Sequence, residues 1–316
     1  MRGWWQDLTD LVLPAECGGC GRPRTVLCPE CRAALSGAAP RRVRPDPEPP
    51  GLPVVHAAAP YEDEVRAALL AHKERGALTL ATPLGTALAG AVRAGVGHLC
   101  LPVPEGRPTA SDGRLRGSNG HLWSGGGPSG AAAVGGGRGP LLLVPVPSSR
   151  RAVRARGHDP ARRIALAAAG ELRRTGTPAR VLAVLRQRRA VADQSGLNSR
   201  QRLENLTGAL EVAAGGARLL TGGGGVVLVD DLMTTGASLT EAARAVRAAV
   251  ADTDAYGEEA GEAMGERMTE ATETATAAGL DRTQVHQGMA GVSEVGDTIR
   301  AAVVAASPDS FKINRN

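Results

Sequence analysis

Residues Val226 to Ala242 read "VVLVDDLMTTGASLTEA". Four apolar residues run into Asp230 and Asp231, a Thr-Thr-Gly turn follows, and a helical pattern begins at Ser238. A short, wholly apolar run is the mark of a strand buried on both faces, as in a parallel sheet. Ligands of such sheets collect beyond the carboxyl ends of the strands, which is where the two carboxylates fall. Thr234, Thr235, Gly236, Ala237 and Ser238 supply consecutive backbone N–H groups and three hydroxyls. They also open a helix, whose N-terminal partial positive charge attracts an anion. Gly236 lets the backbone close around that anion. Carboxylates cannot hold a phosphate, but they can accept hydrogen bonds from a sugar diol. One ligand meets both demands, a ribose carrying a 5′-phosphate.

A lone Asp before a helix would read as a cap at a solvated strand end. Two carboxylates after four buried residues, with Thr-Thr-Gly-x-Ser behind them, favour a ligand site. Other phosphate motifs fail: "TGGGG" (221–225) precedes the strand, and no Gly-Lys-Ser/Thr turn exists. The glycines at 125–139 lie in low-complexity sequence.

Working outward, "LLLVPVP" (141–147) and "AAVVAAS" (301–307) are two more buried-strand patterns. "ARRIALAAAGEL" and "SLTEAARAVRAAV" (238–250) are helical, "ARVLAVLRQ" reads as a strand, and "SRQRLENLTGAL" (199–210) as a short helix or turn. Val65, Leu69 and Leu70 sit at helical spacing in a segment expected to form two helices broken at Arg75-Gly76. Strand–loop–helix units repeated in this way predict an α/β fold, a parallel sheet with helices on both faces. The expected domains are a cysteine-bearing head over 1–36, a proline-rich spacer over 37–53, and an α/β domain over 54–316. A Gly/Ser/Pro-rich stretch (101–140) and an acidic stretch (251–299) read as inserts in the latter.

The head carries "CGGCGRPRTVLCPEC", in which Cys17, Cys20, Cys28 and Cys31 form two Cys-x-x-Cys pairs seven residues apart. Four thiolates so spaced suit one tetrahedral structural Zn²⁺. No export signal is expected, because Asp7 and Asp10 interrupt the apolar N-terminus, which makes disulfides the poorer reading. No strand precedes either pair, which argues against a thioredoxin-like site. Cys100 reads as a small apolar residue. No apolar run is long enough to span a bilayer, so a cytoplasmic protein is expected.

The formal charge is +5, and Lys73 and Lys312 are the only lysines among 37 basic residues. A basic balance invites a nucleic-acid partner. Three Trp, two Tyr and one Phe supply few rings on which single-stranded bases could stack.

The loop "VVLVDDLMTTGAS" resembles the phosphoribosyl-pyrophosphate (PRPP) loop of type I phosphoribosyltransferases. With the cysteine head, "HKERG", "VPVPSSRRAVRARGHDPARR" and "RQRRAVADQSGLNSRQRLENLTGA", the chain resembles the ComF branch of that group, the competence-associated proteins. The resemblance implies the type I phosphoribosyltransferase fold with an N-terminal zinc-ribbon head, binding of PRPP with Mg²⁺, and transfer of phosphoribosyl to a nitrogenous acceptor. It assigns Asp230, Asp231 and Arg156 to catalysis, and Asp230, Asp231 and Thr234 to Ser238 to PRPP. Arg154, Arg156 and Gly157 would meet the pyrophosphate, and Arg186, Arg188, Gln194 and Arg202 would belong to a mobile loop closing over it. Asn205 would fix backbone at the loop base, whereas Lys73 reads equally as a phosphate contact or a surface lysine. The residues after Arg156-Gly157, commonly an aromatic and an amide in the family, are His158 and Asp159 here. The alternative implication is an accessory DNA-uptake factor contacting single-stranded DNA or the uptake machinery.

Overall fold

The computed structural model describes residues 16–97, 139–189, 198–221, 224–253 and 299–312. Most of the inserts over 101–140 and 251–299, together with Cys100 and Gln194, lies outside them.

A six-stranded sheet forms the centre. Its strands are β1 (Arg41–Val43), β2 (Val54–Pro60), β3 (Leu141–Pro145), β4 (Ala179–Val181), β7 (Val226–Met233) and β8 (Arg300–Ala306), arranged β1-β2-β8-β7-β3-β4. Every pairing is parallel except that of the edge strand β1 with β2. A separate antiparallel ribbon pairs β5 (Leu185–Gln187) with β6 (Leu210–Val212). "ARVLAVLRQ" therefore divides between two sheets, because the chain leaves the main sheet after Val181.

The apolar strands alternate between two cores, as buried parallel strands must. Leu141, Leu143, Val227, Val229, Ala302 and Val304 meet α3 (Ala81–Val96) and α5 (Pro160–Arg174) through Leu84, Leu88, Ile164 and Leu172. Leu142, Val144, Val226, Leu228, Ala301 and Val303 meet the helix over 237–253, α8, through Leu239, Ala242 and Val246. Helices thus cover both faces.

The cysteine-bearing segment packs into the first of these cores. Its helix α1 (Pro29–Ser36) buries Leu35 alongside Leu69 of α2 (Asp63–Glu74). Val65, Ala68, Leu69 and His72 form the buried stripe of α2, while Leu70 of the expected set is exposed. α2 stops at Gly76, whose φ of +68° suits glycine alone, and a 3₁₀ turn (Leu78–Leu80) leads into α3. The proline-rich stretch is not bare spacer: it holds β1, and Leu52 and Pro45 lie where a Cβ on Gly236 would reach, at 3.1 and 3.4 Å.

Small residues let α3 and α5 approach closely. A Cβ on Gly85 would lie 2.5 Å from Ala167 Cβ and 2.8 Å from the Ala168 nitrogen, whereas one on Gly170 meets nothing within 4 Å. Gly85→Val should therefore cost about 1–3 kcal/mol or more by overpacking. Gly170→Ala should gain about 0.4–1 kcal/mol by restricting the unfolded chain. Urea unfolding of the two variants checks the contrast.

Candidate functional site

The strand order reverses between β3 and β7. From β3 the chain passes to β4 on one side, and from β7 to β8 on the other. Crevices at such switch points are where open α/β sheets bind ligands. β3 pairs with β7 only as far as Pro145 opposite Val229, and Val146 adds one last bond to the Val229 carbonyl at 2.9 Å. β7 runs on to Met233 because β8 stays alongside it, with Asp230 opposite Val303 and Met233 opposite Ala306. The two aspartates therefore lie inside the strand, not beyond its end.

Consecutive strand positions face opposite sides, yet the Asp230 and Asp231 carboxylates stay close enough to interact through charge and a side-chain hydrogen bond, and both act on Lys73. Asp230 lines a small cleft of about 30 Å³ with Leu232 to Leu239, the turn over Thr234 to Ser238 included. Gly236 takes φ +77° there, and its carbonyl accepts the Thr240 N–H at 2.9 Å as α8 begins. The cleft is far below the size that encloses a whole small-molecule ligand, so it can seat one compact end of a ligand. Asp231 is outside that lining. It is 8% exposed and receives both contacts of Lys73, whose Nζ is 2.9 Å from Oδ2 and 3.3 Å from Oδ1.

Lys73 belongs to the last turn of α2. Burial opposes its charge, but Asp231 and Asp230 outweigh burial, and its pKa is raised. Arg156 lies close enough to act against that charge. It ends α4 (Arg150–Arg156), where Gly157 in the left-handed region caps the helix. Its Nη1 contacts Glu74 Oε1 at 3.1 Å, and its buried Nε has no partner. The rings of His72 and His158 meet edge-on with centroids 5.8 Å apart. Each Nδ1 lies against a backbone carbonyl, of Ala77 at 3.3 Å and of Arg156 at 3.1 Å. Asp159 caps α5 through the Arg162 N–H and accepts the Ser148 N–H at 3.2 Å, which closes the loop after β3.

Other expected residues lie elsewhere. Arg186 makes a cross-strand ion pair with Glu211 at 2.9 Å on the β5–β6 ribbon. Arg188 is exposed beside that ribbon, its N–H bonded to the Ala209 carbonyl. Arg202, in α6 (Ser199–Leu206), is half-buried with its Nε unpartnered. Arg154 is exposed on α4. Sequence reasoning missed Glu74, His72 and Glu241. For Glu241 a signal existed, since Arg244 follows at helical spacing and the two pair at 2.7 Å.

The four cysteine Sγ atoms lie within 4.8 Å of one another. Tetrahedral Zn–S bonds of about 2.3 Å would set sulfurs about 3.8 Å apart, and Cys20 and Cys28 are 3.6 Å apart. Burial opposes ionisation of Cys17, but the N–H groups of Cys28, Cys20 and Gly19 outweigh it and lower its pKa to about 6. An all-sulfur quartet of this kind can hold Zn²⁺. Among the described residues it is the only group of three or more ligating side chains close enough to hold a metal ion, and no helix there is long and apolar enough to cross a membrane.

No model of a known protein family matches the chain, and no curated protein is detectably similar to it.

Two outcomes test this geometry. Protein purified under reducing conditions should carry one Zn²⁺ by metal analysis, and Cys28→Ser should lose it. Burial, then the Asp231 charge, raises the Asp230 pKa well above the carboxylate range. The folded state then binds that proton more tightly than the unfolded chain, so the associated stability is present below about pH 4 and is lost as pH rises through the folded value. Asp230→Asn should accordingly be more stable than the parent at pH 7, with the gain vanishing near pH 4, as followed by denaturant unfolding.

Proposed function

We propose that this chain is a phosphoribosyltransferase-like protein of the type I fold, which binds PRPP with Mg²⁺ and transfers phosphoribosyl to a nitrogenous acceptor. The observation that carries this is the pairing of an anion-seating turn with Asp230 in one cleft, at a switch point flanked by Lys73 and Arg156.

The 5′-phosphate would occupy the turn over Thr234 to Ser238, held by backbone N–H groups at the start of α8. Asp230 would accept a ribose hydroxyl. Its ionised form is disfavoured by burial, so a hydroxyl donor there relieves a cost already present. Asp231 holds Lys73, and Lys73 with Arg156 would face the diphosphate. Gly157 positions Arg156 by ending α4. Mg²⁺ would come with the diphosphate and offset its charge.

In the reaction the bond from C1 to the diphosphate oxygen breaks and its electrons leave with the diphosphate. The lone pair of the acceptor nitrogen forms the new bond to C1, and that nitrogen sheds a proton. The chain's part is orientation and stabilisation of charge developing on the leaving group. No nucleophilic side chain is required.

Calorimetric titration with PRPP and Mg²⁺ tests this. Charge-assisted hydrogen bonds contribute about 1.5–3 kcal/mol, so Asp230→Ala should weaken binding by about 10–150-fold. Equal binding by the variant and the parent would remove the proposal. A panel of nitrogenous bases, scored for PRPP-dependent release of pyrophosphate, then identifies the acceptor.

A further inference from the structure

The segment between Cys17 and Cys20 is Gly18-Gly19, and it is also a packing surface. A Cβ on Gly18 would fall 2.5 Å from Leu80 Cδ1, and one on Gly19 would fall 3.2 Å from Glu64 Cβ and 2.7 Å from Cys31 Sγ. Backbone at this point thus presses on the first turn of α2, through Glu64, and on the 3₁₀ turn that follows it, through Leu80. Cys17, Cys28, Cys31, Val65, Leu69 and Leu80 belong to one buried cluster. Between these two points of contact, α2 presents His72, Lys73 and Glu74. Its last turn is tied to the segment ahead by the Ala77 N–H to the Ala71 carbonyl at 3.1 Å and by His72 Nδ1 against the Ala77 carbonyl.

Two adjacent glycines have no conformational preference strong enough to hold such a surface. The neighbouring sulfur ligands do, once a common ion fixes them. We propose that the cysteine head is a positioning device for Lys73. With Zn²⁺ bound, Gly18-Gly19 hold α2 at Glu64 and the 3₁₀ turn after it at Leu80, so that Lys73 sits on Asp231 and faces an incoming diphosphate. Without Zn²⁺ the grip on α2 loosens and the contribution of Lys73 to anion binding is lost. This rests on the phosphoribosyl reading of the site and adds a role for the head within it.

The test is a cycle on the full chain, titrated with inorganic pyrophosphate and Mg²⁺ by calorimetry. Four forms are compared: Zn²⁺-loaded and Zn²⁺-stripped protein, each with Lys73 or with Lys73→Ala. Stripping should weaken pyrophosphate binding about tenfold or more when Lys73 is present, and should have no further effect in Lys73→Ala, because interacting groups are non-additive. Hydrogen exchange across residues 63–74 should quicken on stripping. If the stripped protein unfolds, Leu80→Ala with Zn²⁺ retained takes its place, with the same expected loss and the same dependence on Lys73. An equal loss in the two backgrounds, or no loss, overturns the proposal alone. Failure of the Zn²⁺-loaded parent to bind pyrophosphate overturns the phosphoribosyl reading and this proposal with it.

Discussion

The site depends on a difference in strand length. β3 stops pairing at Pro145, while β8 carries β7 four residues further, to Met233. A strand that outruns one neighbour and keeps the other exposes an edge, and here the edge opens where the connections of β3 and β7 part in opposite directions. The same overhang decides what the two acids do. Asp231 is held by Lys73 of α2, while Asp230 lines the cleft with the turn before α8 and still interacts with the Asp231 carboxylate. Their needs differ as well. Asp231 is satisfied by Lys73 through both oxygens. Asp230 makes no ion pair among the described residues and accepts the Asp231 N–H at 2.8 Å. The less well supplied carboxylate is the one a ligand hydroxyl would help most.

The cations near Asp231 have an unusual neighbour. His72 is almost wholly buried, and burial lowers its pKa although the Ala77 carbonyl and Asp231 act the other way. A neutral imidazole packs against His158 next to Lys73 in the chain without adding positive charge to a region that already holds Lys73 and Arg156. Glu74, more than half exposed, pairs with Arg156. Only the Glu74 side of this pair is exposed, so solvent screens it and it yields to an anion more readily than a fully buried pair would. The Lys73–Asp231 pair is more enclosed and sets where the lysine starts.

Much of the architecture was legible in the sequence because parallel strands buried on both faces are continuous apolar runs, as at 141–145, 226–229 and 301–306. What escaped was short or disguised. β2 carries His56 and ends in Pro60, and β1 lies in a proline-rich stretch, where an edge strand tolerates such composition. The quartet of cysteines was fully legible, since ligand spacing is local chemistry. The two acids were legible as adjacent carboxylates, but the extension of the strand through them was not. That error followed from ending the strand at Val229, whereas the length of β8, a segment far along the chain, is what prolongs it. Lys73 beside Asp231 is a contact across 158 positions, and no local pattern encodes it.

The last constraint links the turn before α8 to the outlying ribbon. Glu241 lies one turn into α8, 3% exposed, and accepts the Leu210 N–H at 2.9 Å, while Arg244 contacts it and the Leu210 carbonyl. Burial opposes the charge on Glu241, but Arg244 and the N–H groups of Leu210 and Gly208 outweigh it, so its pKa is lowered and it stays ionised. A buried carboxylate bonded to the first residue of β6 is costly to separate from it. The β5–β6 ribbon is thereby fastened to the helix whose N-terminus is the proposed phosphate seat. A ligand that draws on that N-terminus therefore acts on an element to which the ribbon, with Arg186 and Arg188, is already tied.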